Sequence, residues 1–176
     1  MSRAFVSETG ADAAADALPE LPQSPHPNYV TRHGLVLLTQ RLAAAQEEHR
    51  QLTAIPDDPA KELRLAHVDR EIRYLEARIE RAIQVDPAQQ PTDEVAFGAA
   101  VKVRDPKGRH HHFTIVGEDE ADAEHGKVSW VSPLARALTG NGVGDIVVWH
   151  RPAGETKLEI EAIDYPERGT AATTAG

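Results

Sequence analysis

Two adjacent carboxylates, Asp57 and Asp58, stand between prolines in the run Ile55-Pro56-Asp57-Asp58-Pro59, with Glu62 one helical turn further on. Oxygen ligands of this kind suit Mg²⁺, above all where another molecule completes the coordination shell. The same residues also serve a plainer purpose: Asp is common in tight turns and at helix N-termini, where it meets the positive end of the dipole. Spacing leaves both readings open. His110, His111 and His112 are consecutive. On a strand His110 and His112 share one face, a minimal geometry for a transition metal. No third ligand follows at a readable spacing, so the run reads as a solvent-facing strand. Glu118-Asp119-Glu120-Ala121-Asp122 lacks the glycine and ligand periodicity of a calcium loop and reads as a solvated turn. No nucleophile–base pair stands out, and Gly140-Asn141-Gly142-Val143-Gly144 does not lead from a strand into a phosphate-binding helix.

The aspartates owe their position to two helices. Leu35, Leu38, Leu42, Ala45, His49 and Leu52 recur at spacings of three and four, and Leu65, Val68, Ile72, Leu75, Ile79 and Ala82 repeat the series. Each set draws an apolar stripe like a coiled-coil seam. Thr31 is the expected N-cap of the first helix, and Pro59 suits the first turn of the second. Two amphipathic helices joined by so short a turn fold back antiparallel. The apolar part of one arm, Leu35 to Leu52, rises about 26 Å at ~1.5 Å per residue. His49 is expected as a partly wet packing residue of the seam. Arg64, Arg70, Arg73 and Arg78 do not share one face, and pairing with Glu71, Glu76 and Glu80 along the helix surface is expected for them.

Beyond the hairpin, β-branched and apolar residues come in short runs. Ala99–Arg104, His110–Val116, Lys127–Val131, Asp145–His150 and Lys157–Asp164 are expected strands, separated by turn residues. One short helix, Pro133–Leu138, is expected after a Ser132 cap. The fold class is therefore α+β: an antiparallel helical hairpin, then an antiparallel β domain with one short helix. The organisation reads as an unstructured arm over 1–30, the hairpin over 31–86, a proline-marked linker over 87–94, the β domain over 95–166 and a tail over 167–176.

Composition narrows the function. The 176 residues carry 19 basic and 28 acidic side chains, a net charge of −9, and no cysteine. Disulfide frameworks and thiolate metal sites are excluded. No apolar run reaches the roughly 18 residues of a membrane helix and no signal-peptide core opens the chain, which leads to the expectation of a cytoplasmic protein. Residues 31–86 hold nine basic against ten acidic side chains, and 87–176 hold nine against fourteen. No segment carries a basic surplus, which argues against a coat for bare nucleic acid and against sequence-specific DNA recognition.

Ile115-Val116-Gly117-Glu118-Asp119-Glu120-Ala121-Asp122, then Ser129-Trp130-Val131-Ser132-Pro133-Leu134-Ala135-Arg136-Ala137-Leu138 and Gly144-Asp145, resemble the carboxy-terminal domain of the bacterial Gre transcript-cleavage factors. Asp69-Arg70-Glu71-Ile72-Arg73-Tyr74-Leu75, Val85-Asp86 and Pro152-Ala153-Gly154-Glu155 look closer to the GreB branch. The resemblance spans residues 28–166. It implies an FKBP-like carboxy-terminal domain, without isomerase activity, that grips RNA polymerase at the rim of its secondary channel. The implied contact residues are Ser132, Pro133, Leu134 and Arg136. Val131 replaces the polar residue usual before the Ser-Pro pair. The hairpin of such factors enters the channel, where tip carboxylates, here Asp57 and Asp58, help hold a second Mg²⁺ shared with the polymerase active site and position water. The nascent RNA 3′ end is then met only indirectly, and the polymerase itself performs the cleavage.

The tip departs from the family. Cleavage-stimulating relatives carry a Gly-Asp…Glu-Asn tip on a hairpin longer by roughly two turns per arm, at ~5.4 Å per turn. The resemblance thus implies an elongation factor, not itself an enzyme, that rescues backtracked complexes. The alternatives are a non-cleaving regulator or inhibitor in the same channel, or an interaction module for another protein.

Overall fold

The computed structural model describes residues 18–56 and 58–170. It divides into two compact units. One holds Leu38–Arg81 with the described residues up to Pro25; the other holds His26–Leu37 and the described residues from Ala82 onward.

Two helices make the hairpin: α1, Arg32–Ala54, and α2, Pro59–Glu80. Helices of 23 and 22 residues are about 34 Å long at ~1.5 Å per residue. Leu38 and Ala45 of α1 and Val68 and Leu75 of α2 are buried, as the stripes require. Arg41 pairs with Glu71 at 3.5 Å, and Glu48 with Arg64 at 2.5 Å. Seven residues forward along α1 are thus seven backward along α2, an antiparallel seam in heptad register. His49 Nε2 lies 3.2 Å from Asp69 Oδ1, so this seam residue has a carboxylate neighbour across the hairpin as well as a packing role.

The arginines of α2 differ from expectation. Arg64 reaches across to Glu48, Arg73 binds Glu20 through Nε and Nη2 at 3.0 and 2.7 Å, and Arg70 donates to the Pro19 carbonyl at 3.1 Å. Arg78 is buried at 1% exposure. The acids expected as intrahelical partners lose to groups brought in by the other helix and by the preceding segment. Of the arm read as unstructured, residues 1–17 lie outside the described residues. Its later part runs beside α2 and ends in a strand, because carbonyls and Glu20 meet the arginine side chains there.

That strand, β1 (Asn28–Val30), pairs in parallel with β2 (Ala82–Gln84). Ala82, expected as the last seam position, therefore belongs to β2. Thr31 caps α1 as expected, its hydroxyl oxygen accepting the Gly34 N–H at 2.8 Å. The Glu167 carboxylate accepts the N–H groups of Arg32 and His33 at 2.9 and 3.0 Å. Donors left open in a helix's first turn are met here by a residue far along the chain.

The main sheet contains β3 (Ala100–Arg104), β4 (His110–Val116), β5 (Lys127–Ser129), β6 (Ile146–Arg151) and β7 (Gly154–Asp164), in the order β5-β4-β3-β7-β6. The remaining helix, α3, spans Pro133–Leu138. The α+β reading stands. One pair departs from an all-antiparallel sheet: β5 runs parallel to β4, because the short turns at Glu118–Glu120 and Ala123–His125 carry the chain back before pairing resumes.

Alternation along β3 sends Val101 and Val103 inward, onto Ile115, Leu158, Ile160 and the α3 residues Leu134, Ala135 and Leu138. Phe113 of β4 and Trp149 of β6 lie with ring centroids 6.3 Å apart, although β3 and β7 stand between their strands. Three strand spacings in a flat sheet would be about 14 Å, so the sheet is strongly curled. A register shift between Lys102 and Val103 leaves Glu161 as an extra residue of β7. Its carboxylate reaches Lys102, Arg104 and His110 at 3.2, 3.3 and 2.8 Å. Tyr165 closes the domain, donating to the Glu94 carbonyl at 2.9 Å and accepting the Ala96 N–H at 3.0 Å. The segment read as a linker begins with a turn at Pro87–Gln89, held by Arg168 donating to the carbonyls of Pro87 and Gln90 at 3.1 and 2.5 Å. No helix of the described residues is long and apolar enough to cross a membrane.

Candidate functional site

The residues singled out for chemistry fall in two places. At the hairpin tip, Asp58 is the N-cap of α2, its backbone extended at φ −150°, ψ 133°. Its Oδ1 accepts the Ala60 N–H at 2.9 Å, and Lys61 Nζ donates to the Ile55 carbonyl at 2.8 Å. Pro59 occupies the first helical position, where a missing N–H costs nothing. The capping bond takes one of the roughly four lone-pair sites of the Asp58 carboxylate and ties Oδ1 to the start of α2. Asp57 lies outside the described residues. Among those described, no group of three or more His, Asp or Glu side chains is arranged to hold a metal ion.

The second place is the turn between β5 and α3. The Ser132 N–H donates to the Ser129 carbonyl and the Trp130 N–H to the Val116 carbonyl, both at 2.9 Å. Ser132 then caps α3, its Oγ accepting the Ala135 N–H at 3.2 Å. As an acceptor in this bond, the hydroxyl keeps its proton to donate elsewhere. Pro133 is exposed at the first helical position, and Arg136 is exposed one turn on. Leu134 is the exception. At 4% exposure it belongs to the core, because its place in a helix lying against the sheet turns it inward. Of the four residues that the resemblance implies as contacts, Ser132, Pro133, Leu134 and Arg136, Leu134 lies in the core, whereas Pro133 and Arg136 are exposed and Ser132 is half-buried.

Aromatic rings support this turn from below. Trp130 meets Tyr29 of β1 edge-on at 5.0 Å and His26 at 5.9 Å, and Tyr29 also meets Phe97 at 6.0 Å. The sequence reading missed this support, because nothing in Asn28-Tyr29-Val30 marks it as a neighbour of residue 130. Tyr29 and Trp130, aromatic residues in segments otherwise read as an arm and a strand end, were the available signal.

The histidines separate. His110 and His112 share the outer face, opposite Arg104 and Lys102, while His111 turns inward toward Asp105, with Nε2 3.2 Å from Oδ2. Burial would raise the Asp105 carboxyl pKa. The N–H donors of Arg109 and Lys107, the His111 ring and the Arg109 guanidinium outweigh that and hold it well below the usual carboxylate range. Glu161 is likewise held low: burial raises it, but Lys102 and His110 prevail. The acidic turn is only partly solvated. Asp122 caps the next turn and pairs with His125 at 2.7 Å, whose hydrogen bond lowers the Asp122 pKa. Glu120 is inward at 8% exposure, beside Lys127 at 3.1 Å.

Residues 90–165 match the family described as transcription elongation factor, GreA/GreB, C-term. Transcription elongation factor GreB of Neisseria meningitidis serogroup B is 44% identical over 58% of this chain, and the match covers 63% of that relative's length. Transcription elongation factor GreA of Ralstonia nicotianae is 32% identical over 94% of this chain and 99% of its own. A solved prokaryotic transcription elongation factor GreA/GreB from Nitrosomonas europaea is 24% identical, with a TM-score of 0.39, over 78% of this chain and 98% of that one.

Proposed function

We propose, for a chain that belongs to the GreA/GreB family of transcription elongation factors, that it binds RNA polymerase at the rim of the secondary channel and supports rescue of backtracked complexes. The observation that carries this reading is the Ser132–Pro133 turn: a capped, aromatic-backed corner with an exposed proline, a hydroxyl able to donate, and Arg136 one turn away. Such a corner offers a rigid contact at little entropic cost on binding. The hairpin enters the channel, and Asp57 and Asp58 lend carboxylate oxygens to Mg²⁺ at the polymerase active site, which cleaves the RNA itself. This chain supplies no catalytic residue of its own.

A second reading is favoured by the cap. Asp58 has one oxygen engaged in the helix start, and the arms measure about 34 Å. On this reading the protein occupies the channel without stimulating cleavage and competes with factors that do.

Backtracked elongation complexes incubated with the protein separate the two. RNA cleavage that disappears in Asp57→Asn/Asp58→Asn supports the first reading; stable binding without cleavage selects the second. Failure of the wild type to bind polymerase removes both and leaves an interaction module for another partner.

A further inference from the structure

The inner face of the curled sheet opens into a cavity of about 350 Å³ at the end away from α3's capping turn. The register places it there: Asp105–Arg109 precede β4, whereas Ser129 of β5 lies opposite Val116 at the far end of β4. Cavities of this size hold small ligands. The wall is aromatic. His111 and Phe113 follow one another on β4 with ring planes 9° apart, and Trp149 faces Phe113 edge-on. The rim is cationic: Lys107, Arg109, Arg151 and Lys157 against two carboxylates, Asp105 and Glu155. Both carboxylates are engaged, Asp105 by Arg109 and His111 and Glu155 by His150 at 3.0 Å. Arg151 lies 5.0 Å over the Trp149 ring and donates to Thr156, so its charge is fixed beside the aromatic wall. In a protein of net charge −9, a locally positive aromatic cavity selects its ligand by sign as well as by shape.

We propose that this cavity binds a planar aromatic anion of mononucleotide size, a nucleoside monophosphate unit, with its ring on the Phe113–Trp149 wall and its phosphate at Arg151 and Lys107. Aromatic side chains hold bases by stacking, and guanidinium groups match phosphate oxygens. The unit can arrive as a free nucleotide or as the end of a single RNA strand. In neither form does it compete for the Ser132–Pro133 turn at the other end of the sheet.

The test follows the indole N–H resonance of Trp149, one of two tryptophans, in the full chain titrated with AMP, adenosine, inorganic phosphate or a single-stranded tetraadenylate. AMP or the tetraadenylate should move it, and whichever binds more tightly identifies the source. Adenosine and phosphate should each bind at least about tenfold more weakly than AMP, through the loss of the two charge-assisted contacts or of the ring. Lys107→Gln/Arg151→Gln, a change of two exposed side chains, should weaken AMP by about the same factor and leave adenosine unchanged. The proposal fails if the Trp149 resonance stays still with both nucleotide probes, if phosphate alone matches AMP, or if the double variant binds AMP like wild type.

Discussion

The Thr31 hydroxyl donates to Glu120 Oε2 at 2.5 Å, joining residues 89 positions apart, while the same oxygen accepts the Gly34 N–H. The start of α1 is thereby fixed to the turn before β5, and Lys127 completes the carboxylate's surroundings. Glu120 is a buried carboxylate at a helix start, where the dipole and two partners offset its desolvation.

This bond makes Gly34 a packing requirement. A Cβ there would lie 2.8 Å from Glu120 Oε2 and 3.3 Å from Thr31 Oγ1. Alanine normally gains about 1 kcal/mol over glycine inside a helix. Gly34→Ala should instead lower the urea midpoint, because Glu120 cannot retreat without leaving Thr31 and Lys127. Combined with Glu120→Ala, the same substitution should regain its helix-forming benefit. Additive effects of the two changes would contradict the pinned carboxylate.

Legibility followed how far each signal had to reach along the chain. His110–Val116 and Ser132 with Pro133–Leu138 were readable because alternation and capping are local. The antiparallel hairpin was readable because one short turn allows no other return. Glu120 looked like any other acid of its turn, and only a threonine 89 residues away distinguishes it. β1 and β2, three residues each, carry no period long enough to recognise, and their pairing exists because the hairpin returns the chain beside its starting point. The burial of Leu134 is not legible from the motif that it shares with Ser132, Pro133 and Arg136, because neighbours in a helix turn to different faces.

Leu134 and Arg136 should therefore separate cleanly. Leu134→Ala removes a core side chain and should cost about 2–5 kcal/mol in denaturant unfolding. Arg136→Ala should change stability by less than about 0.5 kcal/mol while weakening polymerase binding in a pull-down. Equal binding by wild type and Arg136→Ala would take that residue out of the contact surface.

Asp105 should impose an acid limit on the sheet domain. Its folded-state pKa lies below its unfolded value, so its contribution is fully present above the ordinary carboxylate pKa of about 3.9 and is lost as pH falls through the folded value. In urea unfolding from neutral pH downward, wild type should lose stability more steeply below that point than Asp105→Asn. The variant should be less stable at neutral pH, since Arg109 and His111 lose their anion. Parallel curves would mean that other carboxylates set the acid limit.

The tip offers the sharpest division between structure and chemistry, because asparagine and aspartate cap helices about equally well. Asp58→Asn should keep the bond to Ala60 and leave the unfolding curve of the hairpin unchanged, while removing the charge a divalent cation requires. Asp58→Ala removes both and should cost about 0.5–2 kcal/mol. If transcript cleavage falls to the same extent in the two variants, the carboxylate acts on the metal and the cap is incidental. If cleavage falls only in Asp58→Ala, the residue serves to start α2 and the chemistry belongs elsewhere. Loss of the cap in Asp58→Asn, read as a lowered urea midpoint, would contradict the geometry at Ala60 itself.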